Sequence, residues 1–134
     1  MIVVDASVLV DFLSDDSEEG VVDQVLLADP GWAVPFLWRS EFANFLATGM
    51  RRGALDLEKS LVLFGMAREL VAGREHAVSP ERVLRACAAS GCTAYDCEYA
   101  VLAESLGVPL VTGDRQLLKA FPGLAVAPAA FVRG

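Results

Sequence analysis

Short apolar runs alternate with helix-length amphipathic stretches along this whole chain, and no other feature limits its fold as strongly. The runs lie at 2–4 ("IVV"), 32–34 ("WAV"), 75–78 ("EHAV"), 109–112 ("PLVT") and 124–127 ("LAVA"). Between them the spacing predicts helices near 6–13, 17–28, 36–52, 56–72, 79–90, 94–106 and 115–120. The fifth of these opens on Ser79-Pro80, a good helix entry because Pro suits the first helical position. Strands separated by helices join through right-handed crossovers into a mostly parallel sheet covered on both faces, which makes the class α/β. In open sheets of this kind ligands bind outside the carboxyl ends of the strands.

Length and composition narrow the reading further. A chain of 134 residues suits one domain, 1–134, with a substantial core. Its hydrophobic fraction of 54% is high, which suggests surface reserved for a partner. Gly, Pro or charge interrupts every apolar run well short of a membrane span, and no basic leader precedes the first run, so the expected setting is cytoplasmic with no membrane. A net charge of −7 argues against a plain nucleic-acid binder. Carboxylates gathered around a cation would account for part of that charge locally. Cys87, Cys92 and Cys97 recur every five residues, but a zinc site lacks a fourth ligand because His76 has no finger-like spacing. Buried, reduced thiols are expected.

Several aspartates stand where a strand hands over to a helix. Asp5 ends the first run and Asp114 ends "PLVTG", so both fall at carboxyl strand ends. Each has a plain reading as a helix N-cap. Asp96 stands three residues after Thr93, a capping-box spacing that normally carries Glu or Gln. Glu41 is harder to explain away. Leu37, Trp38 and Phe45 lie one turn to either side of it, so it sits in or beside an apolar stripe, where an unpaired carboxylate is costly. Arg39, two residues away, points elsewhere, whereas Asn44 shares the face of Glu41 and is the expected hydrogen-bond partner. Hard divalent cations such as Mg²⁺ or Mn²⁺ take carboxylate oxygens from separate elements, and one such ion would explain all four acids together.

The ordered set "IVVDASVLVDFL", "SEFANFL", "TAYDCEYAVLAESLG" and "PLVTGDRQLL" resembles the PIN-domain family, in particular the VapC-like ribonuclease toxins of toxin–antitoxin pairs. The resemblance covers essentially the whole chain, and its strength lies in the ordered set rather than in any one motif. It places the family's acidic positions on Asp5, Glu41, Asp96 and Asp114 and its hydroxyl positions on Ser7 and Thr112. It implies a three-layer α/β/α sandwich, a metal-dependent RNase activity and a homodimer blocked by a cognate antitoxin. On that basis Asp5, Asp96 and Asp114 are candidate metal ligands for Mg²⁺ or Mn²⁺, and Glu41 a base or a water-mediated ligand. Ser7, Asn44 and Thr112 would orient the carboxylates, and Arg115 and Lys119 would meet RNA phosphates.

Two other classes compete. A phosphoryl-transfer protein on a similar sheet would want paired acids after the first strand, or a second Asp two residues after Asp5, where Ser7 stands. A non-catalytic binding module would make every acid a cap, and Glu41 is what it explains worst. A partner surface is expected on the helices at 36–52 and 56–72, whose "FLWRSEFANFL" and "LVLFGM" hold more apolar residues than one core-facing stripe needs, with Trp38 among the exposed ones.

Overall fold

The computed structural model describes residues 1–14 and 20–134. Five strands, β1 (Ile2–Val4), β2 (Trp32–Pro35), β3 (Glu75–His76), β4 (Leu110–Val111) and β5 (Ala125–Val126), form one parallel sheet in the order β3-β2-β1-β4-β5. Side chains alternate across it as the period of two requires. Ile2, Val4, Trp32, Val34 and Val111 enter one core, and Val3, Ala33 and Leu110 the other. Both faces are dry, which is why the central strands read as unbroken apolar runs rather than as alternating ones.

The first face is covered by α1 (Ala6–Leu13), α2 (Val21–Ala28), α3 (Trp38–Arg51) and α4 (Leu57–Leu70) through Val8, Leu9, Val25, Phe42 and Leu63. The second is covered by α6 (Ala94–Leu106) and α7 (Arg115–Ala120), with α5 (Pro80–Ser90) packed on α6. The result is the expected three-layer α/β/α sandwich. Each fully buried Val, Leu or Phe contributes about 1.5–3 kcal/mol, so the two faces together hold the layers firmly.

Local chemistry sets the boundaries. Ser79 caps α5 by accepting from the Arg82 N–H, with Pro80 at the first position, and Gly91 and Gly107 end α5 and α6 in the left-handed conformation. The strands expected at 75–78, 109–112 and 124–127 shorten to two residues each. The helix expected from 17 is described only over Val21–Ala28, and residues 15–19 of that expectation lie outside the described ones. A last helix, α8 (Pro128–Arg133), was not anticipated, although Pro128 at its start is a helix-entry signal.

One expectation is overturned. Trp38 is not exposed: it is fully buried, stacked on Phe64 at 5.3 Å between ring centres, and its indole N–H donates to Glu75 Oε2 at 2.7 Å. As the first residue of α3 it faces inward, and the exposed apolar residues of the two long helices are Phe45, Leu57, Leu61, Val62 and Met66 instead.

Candidate active site

β1 and β4 are adjacent and parallel, so their carboxyl ends deliver Asp5 and the segment Thr112-Gly113-Asp114 side by side. Asp5 is buried and accepts three hydrogen bonds. Ser7 Oγ donates to Oδ1 at 2.6 Å, the Val8 N–H to the same oxygen at 3.3 Å, and the Thr112 hydroxyl to Oδ2. Asp5 therefore does cap α1, as its plain reading required, but its second oxygen is turned to the neighbouring strand. Burial pushes its pKa above the ordinary carboxylate value, the hydroxyls of Ser7 and Thr112 and the amide of Val8 oppose this, and the charge of Asp114 adds to the rise.

Thr112, also fully buried, links the two aspartates, because its Oγ1 accepts from the Asp114 N–H at 2.9 Å while donating to Asp5. Ser7 and Thr112, the two hydroxyl positions singled out in the sequence, thus both donate to Asp5. Asp114 caps α7 by accepting from the N–H groups of Gln116 and Leu117 at 2.8 and 3.2 Å.

α3 and α6, from opposite layers, meet over this end of the sheet. Their link is the Tyr99 hydroxyl, which donates to Glu41 Oε1 at 2.6 Å. Here the sequence expectation needs correction. Asn44 is exposed and makes no hydrogen bond to Glu41 among the described residues; Tyr99 takes that part. Arg39 is turned away from Glu41, as its position required, and forms a bidentate pair with Glu75. Burial raises the pKa of Glu41, the Tyr99 hydrogen bond lowers it, and the charges of Asp5, Asp96 and Glu98 raise it again. The Tyr99 hydroxyl is itself pushed up, by burial and by Glu41, and stays a donor.

Asp96 lies in the first turn of α6, whose N-cap Thr93 accepts from the Asp96 N–H at 3.1 Å. Its pKa is raised by burial and by the charge of Asp114, against the effect of the Thr93 hydroxyl. Two contributors escaped the sequence reading. Tyr99 had a signal, since it stands three residues after Asp96 and shares its helix face. Glu98, a fifth acid acting on Glu41 and itself raised by burial, had none beyond its charge.

Four acids from four elements thus feel one another's charge, and among the described residues what acts most on Asp5, Glu41 and Asp96 is burial, hydroxyl or amide donors and other carboxylates rather than a basic side chain. Oxygen donors without a protein counter-charge suit a hard divalent cation. They are not drawn into a ready cage: among the described residues no three His, Cys, Asp or Glu side chains are grouped to hold a metal ion. Asp5 and Asp114 are held by their caps and Glu41 by Tyr99. Arg115 and Lys119 lie exposed on α7 and form no ion pair among the described residues.

The fold and site define a parallel α/β protein with an acidic cluster at the carboxyl end of its sheet. The PIN domain family model matches residues 2–122, and the chain belongs to that family. Among solved structures it is similar to PAE2754 from Pyrobaculum aerophilum, at 28% identity and TM-score 0.79, covering 98% of this chain and 93% of that one. It is also similar to FitAcB from Neisseria gonorrhoeae (18%, 0.76, covering 96% and 98%) and to a toxin–antitoxin complex from Klebsiella pneumoniae (16%, 0.67, covering 96% and 98%). No curated protein matches the chain closely in sequence.

Proposed function

We propose that the chain is a Mg²⁺- or Mn²⁺-dependent endoribonuclease, the VapC-like toxin of a toxin–antitoxin pair, acting in the cytoplasm as a homodimer. The observation that carries this reading is the cluster of Asp5, Glu41, Asp96 and Asp114 from four elements, in which Asp5, Glu41 and Asp96 are raised in pKa by burial and by neighbouring carboxylates. Family membership and the toxin–antitoxin complex among its structural relatives support it.

In this reading Asp5, Asp96 and Asp114 would hold the cation, which when bound supplies Lewis acidity toward water and the scissile phosphate. Ser7 and Thr112 keep both oxygens of Asp5 aimed. Glu41, steadied by Tyr99 and with a pKa shifted toward neutrality, accepts a proton from the attacking water. Arg115 and Lys119 contact RNA phosphates.

The partner surface is a groove of about 520 Å³ lined by Val10, Leu13, Phe42, Phe45, Leu55 and Leu63, with Arg52 and Lys59 beside them. It is distinct from the acidic cluster, none of whose members lines it. An amphipathic antitoxin segment suits such a groove, and copurification with the product of a neighbouring reading frame would test it. For the activity itself, purified protein is incubated with assorted RNAs in Mg²⁺, Mn²⁺ or chelator. Internal cleavage with either metal and intact RNA in chelator are expected. Cleavage unaffected by chelator, or none with either metal, would remove the reading. Among the described residues no helix is long and apolar enough to cross a membrane.

A further inference from the structure

Three aromatic rings are exposed among the described residues, and one of them, Phe45, lines the apolar groove. The other two, Phe36 and Tyr95, are 50% and 61% exposed and belong neither to that groove nor to a core. A single exposed apolar residue needs no explanation, so the placement of these two decides their meaning. Phe36 follows the last residue of β2, and its N–H still donates to the His76 carbonyl at 3.1 Å. β1 pairs with β2 through Val3 and Ala33, a register that brings Asp5 opposite Pro35. At a strand spacing of about 4.8 Å and a rise of about 3.3 Å per residue, the Cα atoms of Phe36 and Asp5 lie roughly 6 Å apart. Arg39 lies over the Phe36 ring, 5.7 Å from its Cζ to the ring centre, and its bidentate pairing with Glu75 holds it there. Tyr95 adjoins Asp96 and stands one turn before Tyr99, whose hydroxyl donates to Glu41. Residues four apart on a helix are neighbours, about 5–6 Å between Cβ atoms, so Tyr95 shares the stripe of α6 that meets Glu41. The two rings therefore flank the acids, one at the start of α3 and one at the start of α6.

We infer that Phe36 and Tyr95 are stacking platforms for unpaired nucleobases of the RNA strand that crosses the acids, and that they select single-stranded over duplex RNA. The identity of the ligand rests on the proposed nuclease function; the platforms rest on the placement of the rings. Charge gives an independent reason. The chain has 18 acidic against 11 basic residues, and Arg39, Arg82 and Arg85 are already paired with carboxylates. Phosphate contacts, which ordinarily supply much of the affinity for nucleic acid, are correspondingly few. Stacking on an aromatic face needs no charge and tolerates any base. A duplex offers no free base faces, because its bases are paired and stacked on one another, whereas the bases of a single strand can be splayed onto protein rings.

The test measures, by fluorescence anisotropy, binding of a short fluorescein-labelled RNA of mixed sequence, as a single strand and as the duplex with its complement. Binding is read in Ca²⁺, with gels showing that the RNA stays intact and circular dichroism showing that each variant is folded. Phe36→Ala and Tyr95→Ala should each weaken single-strand binding at least about fivefold, with the slope of affinity against salt unchanged because no phosphate contact is lost. Phe36→Tyr and Tyr95→Phe, which keep a ring, should bind as the wild type does. Duplex binding should be weaker than single-strand binding and the same in every variant. Wild-type affinity in both Ala variants would overturn the inference and leave the rings to a protein partner. Equal losses on single strand and duplex, no rescue by the ring-keeping variants, or a wild type that prefers duplex would overturn it too. Cleavage of the single strand in Mn²⁺ separates this inference from the nuclease reading. If the wild type cuts RNA and the Ala variants bind and cut as it does, only the stacking role falls. A wild type that neither binds nor cuts RNA would overturn both.

Discussion

Replacing Tyr99 with Phe removes one hydroxyl and tests how Glu41 is held. In the wild type that hydroxyl donates to Glu41 at 2.6 Å and is the one influence that lowers its pKa; burial and the charges of Asp5, Asp96 and Glu98 all raise it. A hydrogen bond to a charged group contributes about 1.5–3 kcal/mol. Glu41 is only half-buried and solvent shares the role, so the lower end, about 1.5 kcal/mol, applies at pH 7. Loss of the bond moves the Glu41 pKa further up. The sign follows from proton counts. A carboxyl whose folded pKa lies above its unfolded value holds protons that the unfolded chain has released. It therefore costs stability as pH rises from the unfolded value toward the folded one, and nothing below that window. Tyr99→Phe widens the window. Metal-free melts should show the variant roughly 6 °C less stable at pH 7, at about 4 °C per kcal/mol for a chain of this size. At pH 4, below the ordinary glutamate value, Glu41 is mostly protonated, the lost hydrogen bond is mainly a neutral one of about 1 kcal/mol, and the gap should narrow to about 4 °C. Equal gaps at both pH values, or no gap at pH 7, would refute this account of Glu41.

Other predictions follow the same logic. Thr112→Val should cost about 3 kcal/mol, since it strips a donor from buried Asp5 and leaves the Asp114 N–H without its acceptor, while Thr112→Ser should restore most of it; urea unfolding measures both. Asp96→Asn should raise the metal-free melting temperature by relieving the repulsion with Asp114 and should remove most of the stabilisation by Mg²⁺. For the wild type that stabilisation is roughly 2.7 kcal/mol at a hundredfold excess over Kd, and a melt indifferent to millimolar Mg²⁺ and Mn²⁺ would contradict the cation site. Leu61→Glu and Met66→Glu, both at exposed positions, should change stability by no more than about 0.5 kcal/mol, whereas Trp38→Glu should prevent folding, as circular dichroism will report.

Much of the fold was legible because its signals are local or strongly periodic. The apolar runs at 2–4 and 32–34 are strands buried on both faces, and Ser79-Pro80 opens a helix as its chemistry demands. The edge strands were read too long, because "EHAV" and "LAVA" have strand composition but pair along only two residues. Asp5 and Asp114 were visible as acids at strand ends with two competing readings, helix cap and candidate site residue, of which the cap is seen in the hydrogen bonds. What local pattern did not carry was the pairing of Glu41 with Tyr99, 58 residues apart, which depends on two helical layers meeting over the sheet. Asn44 was the nearest candidate in sequence and the wrong one in space. Trp38 was misplaced for a related reason: the helix was read as starting earlier than Trp38, and Glu75, which satisfies its indole N–H, lies on another strand.

The most direct measurement is cleavage of one end-labelled RNA by wild type, Asp5→Asn and Asp96→Asn, each in Mn²⁺ and each shown to be folded by circular dichroism. If the acids form the catalytic centre, the wild type cuts the RNA internally and both variants lose at least about a hundredfold in rate, equivalent to roughly 2.7 kcal/mol of transition-state stabilisation. Folded variants that cut at the wild-type rate would contradict it.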